Sequence, residues 1–112
     1  MVMITFQQFH DVEMHVGKIL TTEQFPEARK PAYKLTIDFG DIIGVKQSSA
    51  QITAHYTPEQ LPGRLVIAVT NFPPKQIATF MSEVLVLGVN DEHGNVVLLS
   101  PDSSVPVGTR VY

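Results

Sequence analysis

The chain has 112 residues, 44% of them hydrophobic, and a formal net charge of −3. A domain of this length buries roughly two-thirds of its unfolded surface, so one core suffices. The absence of cysteine excludes disulfides, iron–sulfur clusters and thiol nucleophiles, and the acidic balance argues against nucleic-acid binding through the overall field, leaving room only for a local basic patch.

No apolar run approaches the ~20 residues of a membrane-spanning helix. The opening Met1–Gln8 stretch lacks the basic n-region and cleavage site of a secretory signal. We therefore expect a single domain over residues 1–112, cytoplasmic and without membrane insertion.

In chain order, Thr5-Phe-Gln-Gln8 fits a capping box, with Ile4 and Phe9 placed as a hydrophobic staple. A run from Met14 to Thr21 alternates as a strand, and its Gly17 invites a bend or bulge. Tyr33, Leu35, Ile37 and Phe39 face one way and Lys34, Thr36 and Asp38 the other, which predicts a half-exposed strand. Gly40-Asp41 is read as the turn into a returning strand, Ile42 to Ser49. Thr57-Pro-Glu-Gln60 is a second capping box, with Pro58 at the first helical position and Gly63 just past the end. Leu65–Val69, Val84–Val89 and Val96–Leu99 are short apolar strands, the last two joined by the polar loop Asn90–Asn95. About six short strands with two brief helices predict an all-β chain, a five-stranded Greek-key barrel of the OB type.

Three of these strands are apolar on both faces, where a wetted barrel face should alternate. Either another part of the chain covers the outer face or a second copy does.

Catalytic chemistry finds no foothold. His10, His15, His55 and His93 show no ligand spacing, so a metal site has no scaffold. The serines lack a glycine-flanked nucleophile turn, and no Gly-rich phosphate loop occurs. No enzyme activity, cofactor or metal is expected. What does gather is polar and basic: Arg29, Lys30 and Lys34 around Pro31-Ala32, then Lys46-Gln-Ser-Ser-Ala-Gln51, then the stiff loop Asn71-Phe-Pro-Pro-Lys-Gln76 followed by Ile77–Glu83. In an OB barrel the middle strands and neighbouring loops form the usual binding face. Phe72, Phe80 and Met81 beside a few cations suit either stacked bases or the apolar side chains of a flexible polypeptide.

The segment Glu13-Met-His-Val-Gly-Lys-Ile19 resembles the opening strand of the tRNA-binding domain family. Phe25–Gly40, Ser48–Thr53, Asn71–Ile77 and Ser82–Gly88 are similar, more narrowly, to the CsaA branch of that family, the export-related chaperones. The resemblance implies a homodimer built through N- and C-terminal elements and no catalysis. It also implies binding of unfolded or precursor polypeptides and co-operation with the Sec translocation ATPase. Read this way, the candidate site is a groove in which Phe72, Phe80 and Met81 take apolar side chains. Lys34, Lys46 and Lys75 would supply charge, while Ser48, Ser49, Gln51, Asn71, Gln76 and the landmark Ser82 would supply hydrogen bonds. The alternative is a structure-specific tRNA binder using the same face. Only Lys75 is basic between Asn71 and Ser82, where RNA-binding members carry more cations, so any tRNA binding is expected to be weak. Gln47 and the Ala78-Thr79 pair stand where some chaperone relatives are expected to have a basic residue and a glycine.

Overall fold

The computed structural model describes all residues, Met1–Tyr112. Helix α1 (Phe6–Asp11) begins at the expected capping box: the Gln8 N–H donates to Thr5 Oγ1 at 3.0 Å and the Thr5 N–H donates to Gln8 Oε1 at 2.8 Å. Strands β1 (Met14–Gln24), β2 (Tyr33–Asp38) and β3 (Val45–Ala50) form an antiparallel meander, and β4 (Leu65–Val69) returns to the other edge of β1. Four shorter strands precede the last one: β5 (Lys75–Ile77), β6 (Phe80–Ser82), β7 (Leu85–Val86) and β8 (Gly88–Asn90). The ninth is β9 (Val96–Leu98).

The principal sheet runs β3-β2-β1-β4-β7, and β5-β6 and β8-β9 are separate hairpins. Closure comes from the edge of β3. The Glu83 N–H donates to Gln47 O at 2.8 Å, the Gln47 N–H to Glu83 Oε1 at 3.0 Å and the Ser49 N–H to Ser82 Oγ at 3.1 Å. The result is a nearly closed five-stranded antiparallel barrel of the OB type.

The period-2 reading of β2 holds. Tyr33, Leu35 and Ile37 are buried with Ile19, Phe39, Leu61 and Val66, while Lys34, Thr36 and Asp38 are half-exposed. Gly17 does not bend β1 as expected. Its role is close approach, because a Cβ there would meet Ile37 Cγ2 and Phe39 Cε1 at 2.6 Å. The irregularity falls instead between Ile19 and Thr21, where β1 passes from β4 to β2.

Three local expectations change. Gly40-Asp41 opens a one-turn helix, α2 (Gly40–Ile43), because Gly40 and Gly44 both take positive φ (88° and 87°) and bracket it. The Thr57 capping box closes only a 3₁₀ turn, Pro58–Gln60, whose Gln60 side chain accepts from the Thr57 N–H at 2.9 Å. The Val84–Val89 run splits into β7 and β8. Of the apolar outer faces, Leu85, Val89, Val97 and Leu99 remain exposed, so the chain itself does not cover them.

The C-terminal tail occupies the free edge of β1. The Val16 N–H donates to Thr109 O at 2.9 Å, the Gly108 N–H to Val16 O at 2.7 Å and the Val111 N–H to Met14 O at 2.9 Å. No helix is long and apolar enough to cross a membrane.

Candidate ligand-binding face

The β5-β6 hairpin stands on the outer face of β2 and β3. The register sets Lys34 opposite Ser49 and Thr36 opposite Gln47, so these four side chains share the face away from the core. Lys34 Nζ lies 4.9 Å from the centroid of Phe25 and 5.6 Å from that of Phe80. The two rings meet edge-on at 5.3 Å. This cation–π cluster, with the bond from Gln47 Nε2 to Met81 O at 3.1 Å, seats β6 against the barrel.

Clefts flank the hairpin. The largest, of about 550 Å³, lies between β5 and the loop before β2, lined by Glu27–Lys30, Ala32, Ser49, Gln51 and Lys75–Ala78. On the other side, about 370 Å³ is bounded by apolar residues of the barrel end, among them Ile52, Val84, Val86, Val96 and Leu98. A third, about 240 Å³, sits under Phe72 and Pro73 beside Glu83 and Leu85. Lys75 lines all three. Neither Arg29, Lys30, Lys34 nor Lys75 forms an ion pair, the two pairs in the molecule being His55–Asp91 and His93–Glu92. These four are half of the eight Lys and Arg residues. An acidic protein thus presents a local cationic rim, and that rim sits beside an apolar wall.

The structure gathers only part of the expected set around these clefts. Ser49, Gln51, Phe72, Lys75, Gln76 and Ser82 line them, and Met81 is exposed on the same hairpin. Lys34 stands beneath it. Ser48 is a correction: it is 1% exposed, and its hydroxyl donates to Val84 O at 3.1 Å inside the barrel seam. Lys46 is another. Strand alternation puts it on the face of Ser48 and Ala50, opposite to Lys34 and Ser49, paired with Ile37. Asn71 spends its carboxamide on the α1–β1 junction, accepting from the Glu13 N–H at 3.1 Å and donating to Asp11 O at 2.8 Å. Ser82 Oγ is already an acceptor for Ser49 N–H, and Phe80 is half-buried against Phe25.

Outside the expected set, the face also draws on Phe25, on Ile77 and on the apolar wall of Ile52, Val84, Val86, Val96 and Leu98. Phe25 is buried and backs Lys34; its signals in the sequence are the aromatic ring before Pro26 and its place at the head of the Phe25–Gly40 segment. A turn without glycine, Ala78-Thr79, hides the β5-β6 hairpin and with it Ile77 from the sequence pattern.

Residues 14–110 match the family described as "Putative tRNA binding domain". The chain belongs to this tRNA-binding domain family. Two crystal structures of the chaperone CsaA align end to end with it. That of Bacillus anthracis str. Ames is 50% identical, with a TM-score of 0.92, covering 99% of this chain and 100% of that one. That of Picrophilus torridus is 53% identical, with a TM-score of 0.91, covering 98% and 100%. A MetRS-related protein from Pyrococcus horikoshii is 29% identical with a TM-score of 0.87, covering the whole of both chains. Among curated sequences, the methionine–tRNA ligase of Methanococcus aeolicus is 37% identical over 111 residues, 99% of this chain but 16% of that protein. The chain thus spans about a sixth of the ligases it matches, and its similarity is to their tRNA-binding domains rather than to a catalytic one.

Proposed function

We propose that the protein is an ATP-independent chaperone that binds unfolded and precursor polypeptides in the clefts around the β5-β6 hairpin and assists their export. The observation that carries this reading is the end-to-end match, at 50% and 53% identity, to two chaperone CsaA structures. The surface supports it. Exposed Phe72 and Met81 and the Val86–Val96–Leu98 wall offer apolar contact, and Lys75 with Arg29 and Lys30 offers charge at the rim. With no nucleotide-binding motif in the chain, release follows from modest affinity or from handover, for which the Sec translocation ATPase is the proposed recipient.

We place the protein in the cytoplasm as a homodimer. Phe6, Val12 and Tyr112 are exposed where α1 meets the C-terminal tail, as are Leu85, Val89, Val97 and Leu99 elsewhere on the barrel. Apolar area of this extent is what a second copy would cover. Two clefts per dimer would add avidity for a long client.

A second reading, weak tRNA binding on the same face, is favoured by the family match over residues 14–110 and the four unpaired cations. The two readings separate in one competition experiment. A labelled unfolded precursor peptide is bound to the protein and bulk tRNA is added at low and at near-physiological salt. The chaperone reading expects the peptide to stay bound with little salt effect. Displacement at low salt that fades steeply as salt rises is the signature of phosphate contacts and would replace it with the tRNA reading.

A further inference from the structure

Strand β5 is paired on one side only. Its register with β6 is Lys75↔Ser82, Gln76↔Met81 and Ile77↔Phe80, closed by the two-residue turn Ala78-Thr79. A two-residue turn is flanked by a hydrogen-bonded pair, and bonded and non-bonded pairs then alternate. Ile77 and Lys75 therefore spend their backbone groups on β6, and Gln76 turns its N–H and C=O outward.

What lies outward is a cleft. The 550 Å³ cleft is lined by every residue from Lys75 to Ala78 and by none of β6, so it runs along the free edge of β5. Its far wall is the Glu27–Lys30 loop. The outer edge of β6 is not available in the same way, because Met81 O and Ser82 Oγ already bond to β3. The hairpin is thus anchored through β6 and open through β5.

Resting on the chaperone reading above, we propose that a client polypeptide binds by adding an extended strand to β5, its backbone bonding to the N–H and C=O of Gln76. Main-chain bonds do not read side chains, so strand addition supplies affinity without sequence preference, which suits a protein that must accept many clients. Alternate client side chains would enter the cleft over Ala32 and Ile77 and face solvent in turn. The charged Lys75 and the preceding Pro73-Pro74 keep the edge three residues long, which limits it to one short strand and blocks open-ended sheet growth. A polynucleotide has no amide ladder to offer this edge.

The test is fluorescence anisotropy with a labelled unfolded precursor peptide and its depsipeptide twin, in which the central amides are esters and every side chain is kept. Losing the N–H donors should weaken binding about tenfold, the order of one lost hydrogen bond with its partner left unmet. Gln76→Pro, which removes the outward N–H and spares the bonds to β6, should weaken the parent peptide similarly, and by more than Gln76→Ala, which keeps that N–H. Equal binding of peptide and depsipeptide overturns strand addition and leaves the chaperone reading standing, and this comparison decides the matter even where Gln76→Pro fails to fold. Failure of the parent peptide to bind the wild-type protein overturns both. Displacement of the peptide by tRNA that persists in Gln76→Pro and disappears in Lys75→Gln assigns the cleft to RNA and overturns the proposal.

Discussion

Asn71 clasps the backbone of Glu13: its Oδ1 accepts the Glu13 N–H at 3.1 Å, while its Nδ2 reaches Asp11 O at 2.8 Å. One side chain thereby joins the start of the Phe72–Gln76 loop to the junction of α1 and β1. Arg110 adds a second tie by donating to His10 O. The loop that begins the candidate face is held by the part of the chain where both termini meet.

Replacing Asn71 with Ala should therefore destabilise the fold by about 1–2 kcal/mol, the worth of two such bonds. Urea denaturation measures it. Client binding should fall only through the loosened loop, so restoring the fold with a stabilising osmolyte should restore binding as well.

The two phenylalanines of the candidate face should behave differently. Phe80 packs on Phe25 beneath Lys34, so Phe80→Ala should cost about 2 kcal/mol, less than the ~3–5 kcal/mol of a fully buried ring. Phe72 is 53% exposed, and Phe72→Ala should leave stability within about 0.5 kcal/mol while weakening peptide binding. Parallel melting curves and anisotropy titrations distinguish the two.

Ala78 is the one non-glycine residue with positive φ, 53°. It takes the first central position of the hairpin turn, where a type II′ geometry calls for glycine. Ala78→Gly should relieve that strain and raise stability by about 1 kcal/mol. An unchanged unfolding midpoint would show that the strain is negligible.

His15 sets a pH dependence. It is 9% exposed, its Nδ1 lies 2.9 Å from Thr70 Oγ1, and that hydroxyl donates to Glu13 O at 3.2 Å. The hydroxyl proton being so used, the His15 Nδ1–H is the donor. Burial holds the imidazole pKa below its usual 6.5; the Glu13 carboxylate opposes this shift and Arg110 reinforces it. The neutral form belongs to the folded state, so its contribution is present above about pH 6.5 and is lost as pH falls below it, where the unfolded chain takes up the proton first. Stability measured from pH 7.5 down to 5 should decline, and His15→Asn should flatten the decline over that range.

Much of the architecture was legible because it rests on local rules. Period-2 burial in Tyr33–Phe39, the capping boxes at Thr5 and Thr57 and the polar Asn90–Asn95 loop each follow from neighbours a few residues apart. The β5-β6 hairpin was not legible, since Ala78 adopts a backbone that its residue type disfavours and only the seat on β3 compensates. The same holds at Gly40, where two glycines can as well frame a helical turn as a reversal.

The candidate face divides along the same line. Sequence alone determined a cysteine-free, all-β barrel whose polar and basic segments fall at Arg29–Lys34, Lys46–Gln51 and Asn71–Gln76, because composition and short-range pattern carry that information. Only the tertiary structure decided which of those side chains reach a ligand. Strand alternation turned Lys46 from Lys34, barrel closure buried Ser48 against Val84 O, and a contact across 58 residues claimed Asn71 for Glu13. Each outcome depends on which distant strand becomes the neighbour, and a buried polar group must bond to whatever that neighbour offers.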